Sequence, residues 1–168
     1  FVRDKDAVSA CSLLAEICAY AKDQGKTLYD LLMDIYVEYG FSQEFTINVV
    51  KPGKSGADEI KQMMTDFRNN PPKELGGSKV VVWKDYQTLE QKCADGTVTK
   101  MDMPTTSNVL QWFCDDETKI SVRPSGTEPK IKFYIEIKDS TMKCAGCYER
   151  CTKAAAEKIE AIKKSLNL

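Results

Sequence analysis

The 168-residue sequence carries 24 lysine and arginine residues against 25 aspartate and glutamate residues, so its formal net charge is −1. This balance excludes the broad basic field of a nucleic-acid-binding protein and the acidic tail of a protein with a basic partner. No apolar run approaches the roughly 20 residues that span a bilayer, and no secretory signal is recognisable. We therefore expect a cytoplasmic globular protein, and the first residue, Phe1, suggests part of a longer chain.

The N-terminal quarter predicts two helices. The first helix is predicted over residues 6–23, where apolar side chains recur at helical spacing. They cover much of its circumference, so more than one neighbouring element should pack against it. Thr27 is the predicted cap of a second helix that runs to Tyr39 and ends at Gly40. A hinge is expected over residues 41–45.

A strand and a third helix follow. The strand is TINVV, and the KPGKSG segment after it contains GKS but lacks the earlier glycine that a GxxxxGKS/T phosphate loop requires. Ser55 with Asp58 is instead interpreted as the N-terminal cap pair of a helix that runs to Asn69. The core stripe of this helix is predicted to comprise Ile60, Met63, Met64 and Phe67.

The C-terminal half predicts strands and one long helix. The segments KVVVWKDYQ, NVLQWFC and two parts of ISVRPSGTEPKIKFYIEIK read as strands, and residues 141–166 read as a helix. Neighbouring strands with helices outside them indicate an α+β fold, with an antiparallel four-stranded sheet covered by helices on one face.

Seven scattered cysteines and no histidine are present, which favours reduced thiols in a cytoplasmic protein. Cys144, Cys147 and Cys151 have the i, i+3, i+7 spacing of one helix face. No second pair completes a zinc or iron–sulfur pattern. The preferred interpretation is small buried apolar residues rather than a metal site.

The segment around PSGTEP concentrates groups that bind anions. If its two strands form a hairpin with matched apolar faces, Arg123 should lie near Lys130, and Ser121 near Lys132. Arginine offers a planar fork and lysine a point charge, hydroxyls donate, and a glycine permits an anion nest. The candidate phosphate-binding residues are Arg123, Ser125, Gly126, Thr127, Lys130 and Lys132.

The loop also contains an acidic residue, and the segment has a second interpretation. Glu128 repels phosphate, so we expect it to brace the loop through backbone N–H groups or a cation. The alternative interpretation is a solvated hairpin whose lysines keep a sheet edge soluble. That alternative leaves the arginine, serine, glycine and threonine within five residues unexplained.

The sequence RPSGTEPKIKFY resembles the phosphate-binding loop of the α-D-phosphohexomutases, the phosphoglucomutase/phosphomannomutase superfamily. Upstream, VRDKDAVSA resembles the end of the family's third domain, and GKTLYDLLMDIYVEYG the helix that follows. PPKELGGSKV, VWKDY and PTTSNVLQWFCDDETKISV resemble the fourth domain, in order. The resemblance covers nearly the whole chain and is nearest to the long, phosphopentomutase-like branch. It implies a helical tail of the third domain over residues 1–40 and a TBP-like C-terminal phosphate-binding domain over residues 45–168.

The resemblance also implies a function. Members of the family interconvert sugar 1-phosphates and 6-phosphates through a phosphoserine and a bisphosphate intermediate, and their fourth domain clamps the phosphate that does not react. Arg123, Ser125, Gly126 and Thr127 match this clamp, Lys132 replaces a second arginine of many relatives, and Lys130 is a weaker candidate. Lys5 of RDKDA matches a lysine of the active centre, where proton transfer or substrate contact is expected; the alternative is a charge at a helix N-terminus.

The phosphoserine context and the aspartate-rich Mg²⁺ loop of the family are absent from this sequence. The resemblance therefore implies that Mg²⁺ serves the full-length enzyme with ligands outside this chain, and that this part alone is inactive. Expected partners are the upstream domains and a sugar phosphate, namely glucose or mannose 1- or 6-phosphate, with pentose phosphates as an alternative. The competing hypothesis is a stand-alone phosphate-binding module without catalysis. Nucleic-acid binding ranks third, because the aromatic residues do not form a stacking platform.

Overall fold

The computed structural model describes residues 5–168, apart from the side chain of Lys54. Residues 1–4, which begin the VRDKDAVSA segment, lie outside the described part. The chain divides into two compact units: Phe1–Phe41 with Asp139–Cys151, and Ser42–Lys138 with Thr152–Leu168. Over residues 5–168, none of the helices combines the length and the apolar character that crossing a bilayer would require.

The two predicted N-terminal helices are confirmed as α1 (Ala7–Asp23) and α2 (Leu28–Tyr39). The carboxylate of Asp6 caps α1 by accepting hydrogen bonds from two backbone N–H groups of the first turn. Thr27 and Asp30 form a reciprocal capping box at the start of α2, which satisfies N–H groups that a helix leaves unpaired.

An aromatic cluster holds the first unit together. Tyr36 packs against Phe41 with ring centroids 5.2 Å apart and stacks on Tyr148 at 6.1 Å. Tyr29 meets Tyr148 edge-on at 5.9 Å. Phe41 is 1% exposed, so this cluster is the small core of the unit.

The second unit contains most of an eight-stranded sheet and α3 (Gly53–Asn69). The strand order is β1-β8-β7-β6-β3-β4-β5, and β2 pairs with β3. The strands are β1 (Phe41–Val50), β2 (Glu74–Leu75), β3 (Ser78–Asp85), β4 (Glu90–Cys93), β5 (Val98–Lys100), β6 (Leu110–Cys114), β7 (Lys119–Pro124) and β8 (Lys130–Asp139). The last helix, α4 (Tyr148–Ser165), follows a 3₁₀ turn at Ala145–Cys147.

The predicted α+β fold with an antiparallel sheet is confirmed, whereas the sheet has eight strands rather than four. Three of the eight, β2, β4 and β5, lie outside the five segments that the sequence predicted as strands, and they are two to four residues long. Such segments are too short for the alternation by which a strand is recognised. The hinge expected over residues 41–45 is wrong, because these residues form the first half of β1.

Helices cover one face of the sheet. Phe67 of α3 meets Trp112 of β6 and Phe133 of β8 at 5.2 and 6.1 Å between ring centroids. From α4, Ile162 approaches Gly76 so closely that a Cβ added to this glycine would lie 2.7 Å from Ile162 Cγ1. The inward residues of β8 are buried as predicted: Ile131, Phe133, Ile135 and Ile137.

Two predictions about helix starts are wrong. The N-cap residue of α3 is Pro52, which makes no side-chain cap, so Ser55 and Asp58 do not begin this helix. The long C-terminal helix starts at Tyr148, and Cys144 precedes the 3₁₀ turn in an extended conformation. The three C-terminal cysteines therefore do not share one helix face, and Cys144 is exposed rather than buried.

Candidate functional site

The strands that flank the PSGTEP loop pair as a hairpin, but their register differs from the predicted one by two residues. Arg123 lies opposite Lys132, and Ser121 opposite Tyr134. Side chains alternate with a period of two, so any even offset preserves the same buried face. The alternation therefore predicted the faces correctly and could not choose between these registers.

The loop is organised around the hydroxyl group of Ser125. Its Oγ accepts long hydrogen bonds from the backbone N–H groups of Thr127, at 3.4 Å, and Glu128, at 3.3 Å. The N–H of Ser125 donates to the carbonyl of Lys130 at 2.8 Å and closes the hairpin. Two successive N–H groups thus pair with the same hydroxyl oxygen, as in the turns that serine side chains stabilise. The hydroxyl keeps its own proton for donation.

Glu128 braces the loop with a cation, as expected. Its carboxylate forms an ion pair with the ammonium group of Lys130. This hydrogen bond, the charge of Lys130 and the charge of Lys132 hold the pKa of Glu128 below its ordinary value. Lys130 is thus paired within the loop, and its place as a weaker phosphate-binding candidate stays a prediction.

Gly126 shows no conformation that only glycine could adopt, and its predicted part in phosphate binding stays a prediction. Its backbone is not in the left-handed region, and an added Cβ would meet nothing within 4 Å. The loop conformation therefore does not require glycine at this position. What the missing side chain leaves is open space beside the loop.

The loop forms one wall of an open cleft with a volume of about 440 Å³. The opposite wall is the beginning of α3, from Gly53 to Lys61, and Asn108 also lines the cleft. The N-cap Pro52 offers no side-chain acceptor to the first N–H groups of this 17-residue helix. Uncapped helix N-termini attract anions through these N–H groups and the helix dipole.

The sequence analysis did not identify Asn108, which a half-buried arginine holds in place. The guanidinium group of Arg68 donates to Asn108 Oδ1 at 2.5 Å and to Asp85 Oδ2 at 3.0 Å. Because Asn108 accepts with its oxygen, its NH₂ group remains for other partners. The sequence offered no signal for this contact, since Arg68 and Asn108 are 40 residues apart.

Arg123 and Lys132 do not line the cleft. Arg123 is exposed, and Lys132 Nζ lies 6.0 Å from the centroid of the Tyr134 ring. Directly opposite residues of paired strands share a face, so these two cations stand side by side at the base of the loop.

Comparison with known proteins decides the family. Residues 59–151, more than half of the chain, match the model of the phosphoglucomutase/phosphomannomutase C-terminal domain. The chain belongs to this family.

Its relatives are much longer than the chain. A phosphoglucomutase from Staphylococcus aureus is 41% identical over 138 residues, which cover 82% of this chain and 25% of the relative. A phosphoglucomutase from another strain is 42% identical over 139 residues, with the same coverage. The chain thus spans about a quarter of the curated relatives that it matches.

A solved structure agrees with the fold of this phosphohexomutase chain. The open form of the exocytosis-sensitive phosphoprotein parafusin, a phosphoglucomutase from Paramecium, superposes with a TM-score of 0.50 and 18% identity. The match covers 98% of this chain and 28% of that one. At this identity it supports the fold alone.

Two further expectations from the resemblance concern a catalytic role for Lys5 and a Mg²⁺ site. Lys5 is exposed and belongs to the first unit, whereas the loop belongs to the second; its catalytic role stays a prediction. Among residues 5–168, no three histidine, cysteine or carboxylate side chains cluster closely enough to hold a metal ion. The Mg²⁺ site that the resemblance implies remains a prediction about residues outside this chain.

Proposed function

We propose that this chain is the C-terminal, phosphate-holding part of a sugar-phosphate mutase. In this proposal the loop at Ser125–Pro129 binds the phosphate group that is not being transferred. The observation that carries the proposal is the Ser125 hydroxyl, whose oxygen accepts from the Thr127 and Glu128 N–H groups and whose proton remains to donate, beside an open cleft. A phosphate monoester offers several oxygens for such donors, and each charge-assisted hydrogen bond contributes about 1.5–3 kcal/mol.

The donors around the cleft suit a phosphate rather than a sugar. Ser125 can donate its hydroxyl proton, Asn108 its amide hydrogens, and the start of α3 its backbone N–H groups. The charges of Arg123 and Lys132 add long-range attraction for a dianion. A site that recognises only the phosphate group can bind a bisphosphate in either orientation. The energy of this binding positions the reacting group at the other end of the substrate.

The catalytic steps are proposed for other parts of the enzyme. A phosphoserine would exchange its phosphoryl group with the 1- or 6-position of glucose or mannose phosphate, through a bisphosphate intermediate. When bound elsewhere in the full-length enzyme, Mg²⁺ would stabilise the charge of the transferring group. The chain contributes binding and orientation, is inactive alone, and acts in the cytoplasm.

The test is a titration of the chain with glucose 6-phosphate, followed by backbone amide NMR at constant ionic strength. We expect the largest shifts at Thr127 and Glu128, with none for glucose.

Ser125→Ala should weaken binding about tenfold, because one charge-assisted donor is lost. Gly126→Ala should also weaken binding, because its added methyl group fills part of the open space beside the loop where the phosphate is proposed to bind. The urea midpoint should not change, because this methyl group meets no protein atom within 4 Å. Lys100→Ala, an exposed lysine of β5, is the matched control and should bind normally; equal losses for this control would reject the loop as the site.

We further propose that residues 1–40 are the helical end of the preceding mutase domain and that residues 45–168 are the C-terminal domain. Supporting this proposal, α1 and α2 expose large apolar side chains, with Val8 and Tyr39 each 77% exposed and Leu13 58% exposed. Contiguous apolar surface of this kind is normally covered.

This domain assignment predicts different surface behaviour for the chain and for the complete mutase. The isolated chain should bind the dye ANS and self-associate in sedimentation experiments, and Leu13→Lys should reduce both effects. The complete mutase should show neither effect. A monomeric isolated chain without dye binding would count against the assignment.

A further inference from the structure

A cysteine pair lies at the turn that precedes α4, in the segment CAGC. The Sγ atoms of Cys144 and Cys147 are 3.0 Å apart, about 1 Å more than bonded sulfurs. The N–H of Cys147 donates to the carbonyl of Cys144 at 3.0 Å, which fixes the 3₁₀ turn between them. Both thiols are accessible, since Cys144 is exposed and Cys147 is half-buried.

The surroundings favour a thiolate at Cys147. A hydrogen bond from the Cys144 thiol, backbone N–H groups and the Arg150 guanidinium lower the pKa of Cys147. Arg150 is itself held in place by a 3.1 Å hydrogen bond to Thr141 Oγ1 and by Asp139, 3.9 Å away. Thiols near a cation and at the start of a helix are generally the reactive ones.

Two buried cysteines differ from this pair, although Arg150 also donates to Cys151 Sγ at 3.6 Å. Burial, with Asp139 nearby, raises the pKa of the Cys151 thiol. Burial also raises the pKa of Cys114 to about 11. These two thiols are therefore poor nucleophiles.

We propose that Cys144 and Cys147 form a redox-active dithiol that reduces low-molecular-weight disulfides and closes a reversible disulfide between the two residues. The argument rests on the 3.0 Å approach, the accessibility of both sulfurs and the placed guanidinium of Arg150. It is independent of phosphate binding, because the loop and its cleft belong to the other unit.

The exchange proceeds in two balanced steps. The Cys147 thiolate attacks one sulfur of the small disulfide, so that a mixed disulfide forms and one small thiolate leaves and takes up a proton. Cys144 then loses its proton and attacks the Cys147 sulfur, which expels the second small thiol. Two protein thiols are oxidised to one disulfide, and the small disulfide is reduced to two thiols.

The test exposes the fully reduced chain to oxidised glutathione, quenches samples over time by alkylation and maps every cysteine by mass spectrometry. We expect an intramolecular Cys144–Cys147 disulfide that forms about tenfold faster than glutathione adducts at Cys11 or Cys18. These two are exposed cysteines of α1 and serve as internal controls. Reduced glutathione should reopen the bond.

Single substitutions distinguish Cys147, the attacking thiol, from Cys144, the thiol that closes the disulfide. Cys144→Ser should trap a stable glutathione adduct on Cys147, and Cys147→Ser should slow the reaction at Cys144 to the rate of Cys11. Cys18→Ser should change nothing. Equal reaction rates at all exposed cysteines, or adducts that persist at Cys147 in the unmodified chain, would overturn the proposal. The mapping of the unmodified chain decides the matter even if a variant fails to fold.

Discussion

Arg123→Ala should lower kcat/KM of the complete mutase by about 10- to 100-fold. In the proposed clamp the exposed Arg123 guanidinium, which does not line the cleft of the unbound chain, turns to the phosphate when substrate binds. Charge-assisted hydrogen bonds of this kind contribute about 1.5–3 kcal/mol, and each 1.36 kcal/mol changes a rate by tenfold. Because the proposed clamp recognises phosphate and not the sugar, the loss should be similar for glucose and mannose phosphates. Steady-state kinetics with both substrates measures this effect.

Two variants sharpen the Arg123 experiment. Arg123→Lys keeps the charge and loses the planar fork, so it should recover only part of the activity. Lys100→Ala removes an exposed lysine from β5, at the far end of the strand order, and should leave kcat/KM unchanged. A defect for one sugar alone would show that this residue reads the sugar, which contradicts the proposed clamp.

Phe133→Ala should destabilise the chain by about 3–5 kcal/mol, the usual cost of truncating a buried phenylalanine. Phe133 is fully buried and packs against the ring of Phe67. Since small domains are stable by only about 5–15 kcal/mol, this loss is a large fraction of the free energy of unfolding. Urea unfolding followed by circular dichroism measures it.

The neighbouring residue of the same strand is the matched control. Tyr134 points to the opposite face and is 39% exposed, so Tyr134→Ala should cost less than about 1.5 kcal/mol. Phe133→Leu keeps much of the buried volume and should lie between the two. If the two alanine variants were equally destabilising, the assignment of the buried face of β8 would be wrong.

Much of the fold could be predicted from local patterns. The cap at Thr27, the helical stripe of α3 and the alternation along β8 follow from chemistry within a few residues, so the sequence alone predicts them. The family followed from the motif around Ser125, and its C-terminal domain model matches residues 59–151. The assignment of the individual phosphate-binding residues remains a prediction.

Other features depended on segments that are distant in the sequence. The alternation of apolar residues predicts which residues of β7 and β8 are buried. The register that places Arg123 opposite Lys132 results from strand pairing and loop closure. Asn108 joined the cleft because Arg68, 40 residues away, holds it there.

The sequence by itself therefore determined the presence of the helices, the cap of α2, the buried face of the hairpin and the family. Only the tertiary structure decided the strand register and the walls of the cleft. The physical reason is that periodicity and capping are properties of neighbouring residues, whereas register and cleft geometry result from packing summed over segments far apart in the chain.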